Sequence, residues 1–220
     1  MGADIPKVLL RLSDDTSTPT IIARTVHVFS SDPLCQRIVV CVPAAWRGAF
    51  LREIGAESKV TLVDGGGTRQ ESVRLGVQKV AELVRAEGRD DAGESVLIHD
   101  AARCCISADL IARVVEGVAR YGAVTAAVPI PDSLCKVSGS KVSSFVDREN
   151  VWAIQTPQGF MLGELRAAHF AAQADGFLAL DDASVVSRIR DVQVVEGDRR
   201  NIKVTHPYDI SLARLFAQVG

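Results

Sequence analysis

At 220 residues and 47% hydrophobic content, the chain suits one compact α/β domain with a substantial core better than two domains. A net charge of −2 and a pI near 6.1 exclude the basic footprint of a general nucleic-acid binder, so basic residues that meet anionic ligands must act locally. No apolar run approaches the ~20 residues needed to span a membrane. The opening twelve residues carry Asp4, Lys7 and Arg11 and do not form a signal peptide. Five cysteines, odd in number and without a CxxC pair, read as reduced cytoplasmic thiols and not as metal ligands.

Short β-rich runs alternate with longer helical patterns along the chain. Residues 19–29 are predicted to be a helix. Residues 37–42 and 59–63 follow as strands, and their near-continuous apolar character fits strands covered on both faces. A glycine-rich turn, Asp64-Gly65-Gly66-Gly67, comes next. Ser72 is expected to begin a helix over 72–84, with Val73, Val77, Val80 and Val84 at helical spacing. Residues 95–99 read as a strand, and 108–120 as a helix that Ser107 is placed to cap. Residues 123–128 read as a strand. Residues 132–146 break the rhythm, with two short alternating runs around Ser138-Gly139-Ser140, which is a hairpin signal. This hairpin has little core of its own, so it either lies on the surface or projects as an arm toward another subunit. A helix over 162–174, a strand over 192–196 and a helix over 207–219 complete the chain. In the last, Pro207 suits the first helical position and Asp209 the positive helix end. The alternation argues for a mostly parallel sheet with helices on both faces.

Ligands of open α/β sheets bind beyond the carboxyl ends of strands. Three glycines after residues 59–63 permit close backbone approach, and Ser72 offers an amide and a hydroxyl to a nucleotide. After 95–99 comes Asp100-Ala101-Ala102-Arg103. Asp100 can hold Mg2+ through oxygen or cap the following turn. Arg103 can clamp a phosphate or pair with a carboxylate. His99 reads as structural, since no second histidine sits at metal-ligand spacing. By local rules Gln155-Thr156-Pro157-Gln158-Gly159-Phe160 is a turn, Asp181-Asp182-Ala183-Ser184 a helix start and Asn201-Ile202-Lys203-Val204-Thr205 a strand end. Lys203 at that end is in reach of a phosphate or of solvent.

The strings VDGGGTRQESV, HDAAR, VDR, QTPQGF, DDAS, EG and NIKVT resemble, in order and spacing, those of the methylerythritol phosphate cytidylyltransferases, from about Pro6 to the end. The resemblance implies a Rossmann-like nucleotidyltransferase sheet, Mg2+ dependence and a homodimer joined through a β-arm, which residues 132–146 match. It implies that CMP passes from CTP to 2-C-methyl-D-erythritol 4-phosphate. By position, Gly65, Gly66, Ser72 and Ala101 would line the cytidine site, Asp100 would hold the metal and Arg103 would sit near the substrate. Lys7 and Lys203 would face the phosphates. Ser133, Arg148 and Thr156 would hold the polyol phosphate, with Arg148 reaching across the dimer.

The match has departures. Cys104 stands where the family has proline, Asp132-Ser133-Leu134-Cys135 stands for DTIK, and Leu180 replaces a threonine. The family opens with a buried strand and a Gly-rich loop before Pro-Lys, whereas here Met1-Gly2 stands where that loop ends. The natural chain is therefore expected to be longer, with a strand between residues 37–42 and 95–99. Two alternatives compete with the main reading. One is a ribitol 5-phosphate cytidylyltransferase, whose HDAVRPF string fits less well. The other is a non-catalytic relative that keeps fold and dimer without the triphosphate loop.

Overall fold

A computed structural model describes residues 5–219, Val219 by its backbone alone. Met1 and Gly2, where the family's loop would end, lie outside the described residues. A 3-10 turn at Lys7–Leu9 leads to α1 (Ile21–Ser30), β1 (Ile38–Val42), α2 (Arg47–Ile54), β2 (Val60–Asp64), α3 (Arg69–Ala86) and β3 (Ser95–Ile98). Then come α4 (Ala108–Tyr121), β4 (Ala123–Pro129), β5 (Leu134–Ser138), β6 (Lys141–Val146) and β7 (Trp152–Met161). The chain closes with α5 (Leu162–Ala174), α6 (Asp182–Val186), β8 (Gln193–Glu196) and α7 (Pro207–Val219). Ser107 caps α4 by accepting the Leu110 N–H, and Asp209 in the first turn of α7 accepts the amides of Thr205 and His206.

Three expectations need correction. Residues 155–160 are the second half of β7, not a turn. The Gln155–Pro157 stretch falls where the β4–β7 register shifts, between Thr125↔Gln158 and Ala127↔Ile154. Pro157 therefore sits in a bulge, where a missing N–H breaks no ladder bond. The Asn201-to-Thr205 segment is not a strand end; it has no regular secondary structure, and a single backbone–backbone bond, from the Val204 N–H to the Ala102 carbonyl, joins it to the Asp100 turn. Finally, α3 begins at Arg69, three residues ahead of Ser72, because Thr68 serves as its cap.

The larger sheet has the order β3-β7-β4-β8. β8 runs parallel to β4, while β7 is antiparallel to both β3 and β4, so three strands point one way and β7 alone reverses. Period-two alternation sends neighbouring residues to opposite faces. On one face Val96, Ile98, Ala123 and Phe160 meet Val77, Ala81 and Val84 of α3 and Leu165 of α5. On the other, Leu97, Val124 and Ala126 meet Leu110, Ile111, Val114 and Val118 of α4. Each such aliphatic side chain contributes about 1.5–3 kcal/mol by burial. The second face depends on Gly159, where a Cβ would lie 2.4 Å from a Val118 methyl. A larger residue there would push α4 off the sheet.

β1 and β2 form a separate parallel pair, packed with α1 and α2 around Ile22, Val26, Val42, Phe50, Ile54 and Leu62. Among the described residues β1 pairs only with β2, and β3 only with β7. The β5–β6 hairpin is a third, detached sheet whose residues are almost all exposed.

Candidate functional site

The glycine turn links β2 to α3. Thr68 accepts the Glu71 N–H at 3.1 Å, which starts the helix. The Ser72 amide is consequently used, bonded to the Thr68 carbonyl at 3.0 Å, and is not a free donor. The Ser72 hydroxyl donates to that carbonyl and accepts the Gly66 N–H at 3.0 Å. The Glu71 carboxylate accepts the Gly67 N–H at 2.8 Å. A Cβ on Gly66 would lie 2.3–2.6 Å from the Glu71 side chain. A side chain there would push the Glu71 carboxylate off the Gly67 N–H that it accepts.

The turn after β3 carries the densest chemistry. Burial pushes the His99 imidazole down to about 4, so it is neutral at pH 7. Its Nε2 lies 3.2 Å from the Arg103 carbonyl, which can only accept, so Nε2 carries the proton. Nδ1 is then an acceptor, and the Thr156 hydroxyl, 3.2 Å away, donates to it. Thr156 Oγ1 also accepts the Asp100 N–H at 2.9 Å. One lone pair remains on that oxygen, and Thr156 lines the pocket described below.

Three cations surround the Asp100 carboxylate. Lys203 Nζ is 2.9 Å from Oδ2, Arg69 Nε 3.5 Å from Oδ1 and Arg103 Nε 3.6 Å from Oδ2. Burial alone would raise the carboxyl, but the hydrogen bond and charge of Lys203, with Arg69 and Arg103, hold it below the usual carboxylate range. Lys203 is brought there by Asn201, fully buried, whose amide donates to the Thr156 carbonyl at 2.8 Å. Arg103 Nη1 donates to the Asn201 carbonyl at 2.9 Å, tying the same segment to the Asp100 turn.

β7 supplies the opposite wall. Gln155 clamps Asp198 through both ends of its amide, at 2.9 and 3.1 Å. Gln158 donates to Thr125 and Asp181, while its oxygen accepts the amides of Asp182 and Ala183. Between these groups lies a pocket of about 230 Å³, lined among others by Arg69, Asp100, Arg103, Thr156, Leu180 and Lys203. Cations outnumber carboxylates in it, so it is built for an anion. Among the described residues no group of three or more His, Cys, Asp or Glu side chains could hold a metal. Asp100 nonetheless fits Mg2+, which takes one or two carboxylates and fills its remaining positions with water and phosphate oxygen.

Asp100, Arg103, Thr156 and Lys203 thus converge in one chain. Gly65, Gly66 and Ser72 line the neighbouring loop, and Ala101, whose carbonyl accepts from Thr25, follows Asp100. Ser133 and Arg148 do not line the pocket of their own chain. They lie at the foot of the arm, where Arg148 donates to the Pro131 carbonyl. Lys7 does not line the pocket either; it sits in the turn before α1 and adds a minor charge effect to Asp209. Sequence reasoning passed over Arg69. Its signal was position: a cation at the first residue of a helix opposes the helix dipole and calls for compensating carboxylates.

The IspD family model, described as 2-C-methyl-D-erythritol 4-phosphate cytidylyltransferase, matches residues 1–218. The chain is 39% identical over 217 residues to the enzyme of that name from Geobacillus kaustophilus, covering 97% of this chain and 89% of the relative. A crystal structure of 4-diphosphocytidyl-2C-methyl-D-erythritol synthase superposes with a TM-score of 0.82 at 30% identity, covering 96% of this chain and 95% of the other. The Francisella tularensis 2-C-methyl-D-erythritol 4-phosphate cytidylyltransferase gives 0.83 at 28% identity, with 97% and 94% covered.

Proposed function

Because the chain belongs to the 2-C-methyl-D-erythritol 4-phosphate cytidylyltransferase family, we propose that it transfers CMP from CTP to 2-C-methyl-D-erythritol 4-phosphate. Pyrophosphate leaves, and the product feeds non-mevalonate isoprenoid precursor synthesis. The observation that carries this reading is the convergence of Lys203, Arg69 and Arg103 on Asp100, in a pocket whose far wall presents Thr156.

A phosphate oxygen of the acceptor attacks the α-phosphorus of CTP, and the bond from that phosphorus to the bridging oxygen of pyrophosphate breaks. A phosphate monoester is already anionic at neutral pH, so no strong base is needed. The chain's task is positioning and charge stabilisation. Lys203 and Arg103 offer N–H donors to phosphate oxygens, and Lys7 is assigned to the triphosphate. Thr156 accepts a hydroxyl of the polyol with its remaining lone pair. Gly65, Gly66, Ser72 and Ala101 take the cytidine. Asp100 would hold Mg2+, which would supply charge neutralisation at the phosphates.

Arg148 and Ser133 complete the polyol end from the partner subunit of a homodimer. Two features support this. The arm bears exposed Val137, Val142 and Phe145, and the sheet has a concave apolar surface lined by Trp152, Ile154 and Val194. Reciprocal seating of each arm on the other subunit is a closed, two-fold arrangement. A cytoplasmic setting agrees with five free cysteines. No helix among the described residues is long and apolar enough to cross a membrane.

The test is 31P NMR of the protein with CTP, Mg2+ and either methylerythritol phosphate or ribitol 5-phosphate. Pyrophosphate release with the first acceptor is expected. Release with ribitol phosphate alone would reassign the substrate, and CTP binding without turnover on either would make the chain a non-catalytic relative.

A further inference from the structure

The charges around Asp100 do not end at the pocket; one branch runs into the core. Arg69 is the first residue of α3, where the helix dipole disfavours a cation. Two carboxylates outside the helix compensate: Arg69 Nη2 lies 2.9 Å from Asp182 Oδ2, and Nε lies 3.5 Å from Asp100 Oδ1. Asp182 opens α6 and is only 1% exposed. Its other oxygen is 3.1 Å from Nε2 of His169 on α5, also 1% exposed. The second ring nitrogen of His169 has no hydrogen-bond partner. Asp182 is fixed from a third side, because the Gln158 oxygen on β7 accepts its amide at 3.1 Å. His169, Asp182, Arg69 and Asp100 therefore form one chain of contacts from the core to the pocket wall.

The ion pair of Arg69 with the buried Asp182 adds little stability compared with apolar side chains of similar volume. What this pair does supply is direction. Lys203 approaches Asp100 as a point charge on a flexible stem, and Arg103 is bound to the Asn201 carbonyl. Arg69 differs from both. Its planar guanidinium makes two ion-pair contacts at once, Nη2 with the buried Asp182 and Nε with Asp100, so the first orients the second.

We propose that Arg69 is a positioning residue for Asp100, and that the buried His169–Asp182 pair is the anchor that sets Arg69. The proposal rests on the assignment of Asp100 as the carboxylate that binds the cation accompanying CTP. Lysine at position 69 keeps the charge but cannot bridge two carboxylates. Glutamine at position 169 can still donate an N–H to Asp182, whereas leucine cannot.

The experiment compares Asp100→Asn, Arg69→Lys, His169→Leu and His169→Gln by three measurements: steady-state kinetics, thermal unfolding, and calorimetry of CTP binding with and without Mg2+. Arg69→Lys and His169→Leu should lower kcat by about 10–100-fold while KM for CTP stays within about threefold. They should also diminish the gain in CTP affinity that Mg2+ provides, and His169→Gln should restore most of both. Wild-type kcat and Mg2+ response in Arg69→Lys and His169→Leu, at temperatures where both are folded, would leave the pair a mere structural staple and overturn the proposal. An equal loss of CTP affinity with and without Mg2+ would make Arg69 a ligand contact and overturn it too. If Asp100→Asn alone retains full turnover and Mg2+ response, the assignment of Asp100 fails first, which separates the two ideas. Should His169→Leu not fold, Arg69→Lys, at a partly exposed position, decides.

Discussion

The Asp100 pocket and the β5–β6 arm sit in the same chain but differ in how their groups are satisfied. In the pocket most polar groups have found partners within one chain, Arg103 Nε and Asn201 Oδ1 being exceptions. Gln158 uses both of its donors and its oxygen, and the Thr156 hydroxyl is committed to His99 and Asp100. Along the arm the reverse holds. Phe145 is 84% exposed, Val137 60% and Val142 54%, and nothing among the described residues covers them. The pocket is preorganised and can act electrostatically without rearranging. The arm exposes apolar area that the proposed dimer would cover, and a two-stranded hairpin alone is marginally stable in water.

The largest way to break this contrast is Lys203→Ala, which removes the 2.9 Å contact to Asp100. Turnover should fall by about 10²–10³-fold with little change in thermal stability; kinetics beside a melting curve would show it, and a fall of less than threefold would count against the role of Lys203. Removing residues 136–144 should convert dimers to monomers in analytical ultracentrifugation while CTP titration stays near wild type. A variant that remains dimeric would relocate the interface.

A smaller effect comes from His99. Its folded-state value, about 4, lies below the ordinary 6.5. Between those values the unfolded chain binds more protons, so the contribution is complete above pH 6.5 and lost as pH falls toward 4. The full loss is about 3 kcal/mol. Urea unfolding at pH 7.5, 6 and 5 should show the decline, and His99→Asn should flatten it; parallel curves would sink the argument. Smallest is Phe145→Ser, which should change monomer stability by only about 0.5 kcal/mol. It should nonetheless weaken dimerisation measurably, which sharpens the distinction between a residue that folds the chain and one that joins two chains.

The strands of the two sheets, the hairpin and most helices were legible because their apolar periodicity is local information. β7 was not, since glutamine, threonine and proline in succession are turn chemistry by any local rule. What makes them a strand is non-local: β3 and β4 pair on either side, and the register shift absorbs Pro157. α2 escaped notice because only Phe50 and Ile54 of its eight residues are buried, and Trp46 gives it no side-chain cap. In the site, Asp100 and Arg103 were readable as residues after a strand end, whereas the segment that carries Lys203 is no strand and was placed only by the family resemblance. Arg69 was not, because its compensating partner Asp182 lies 113 positions away along the chain.

The separation of β1–β2 from the larger sheet has a consequence for cooperativity. Side chains and helices hold the two parts together, with no backbone ladder shared between them among the described residues. Opening β1, β2 and α2 therefore breaks none of the hydrogen bonds in β3-β7-β4-β8. Two levels of amide protection against hydrogen exchange follow, the lower over residues 38–64 and the higher in β4 and β7. The glycine turn joins the two units: it leaves the end of β2 but is hydrogen-bonded to Glu71 and Ser72 of α3, which packs on the larger sheet, whereas Asp100 and Thr156 belong to the stronger unit alone. Local opening of β1 and β2 can thus stop at the glycine turn and leave Asp100 and Thr156 ordered.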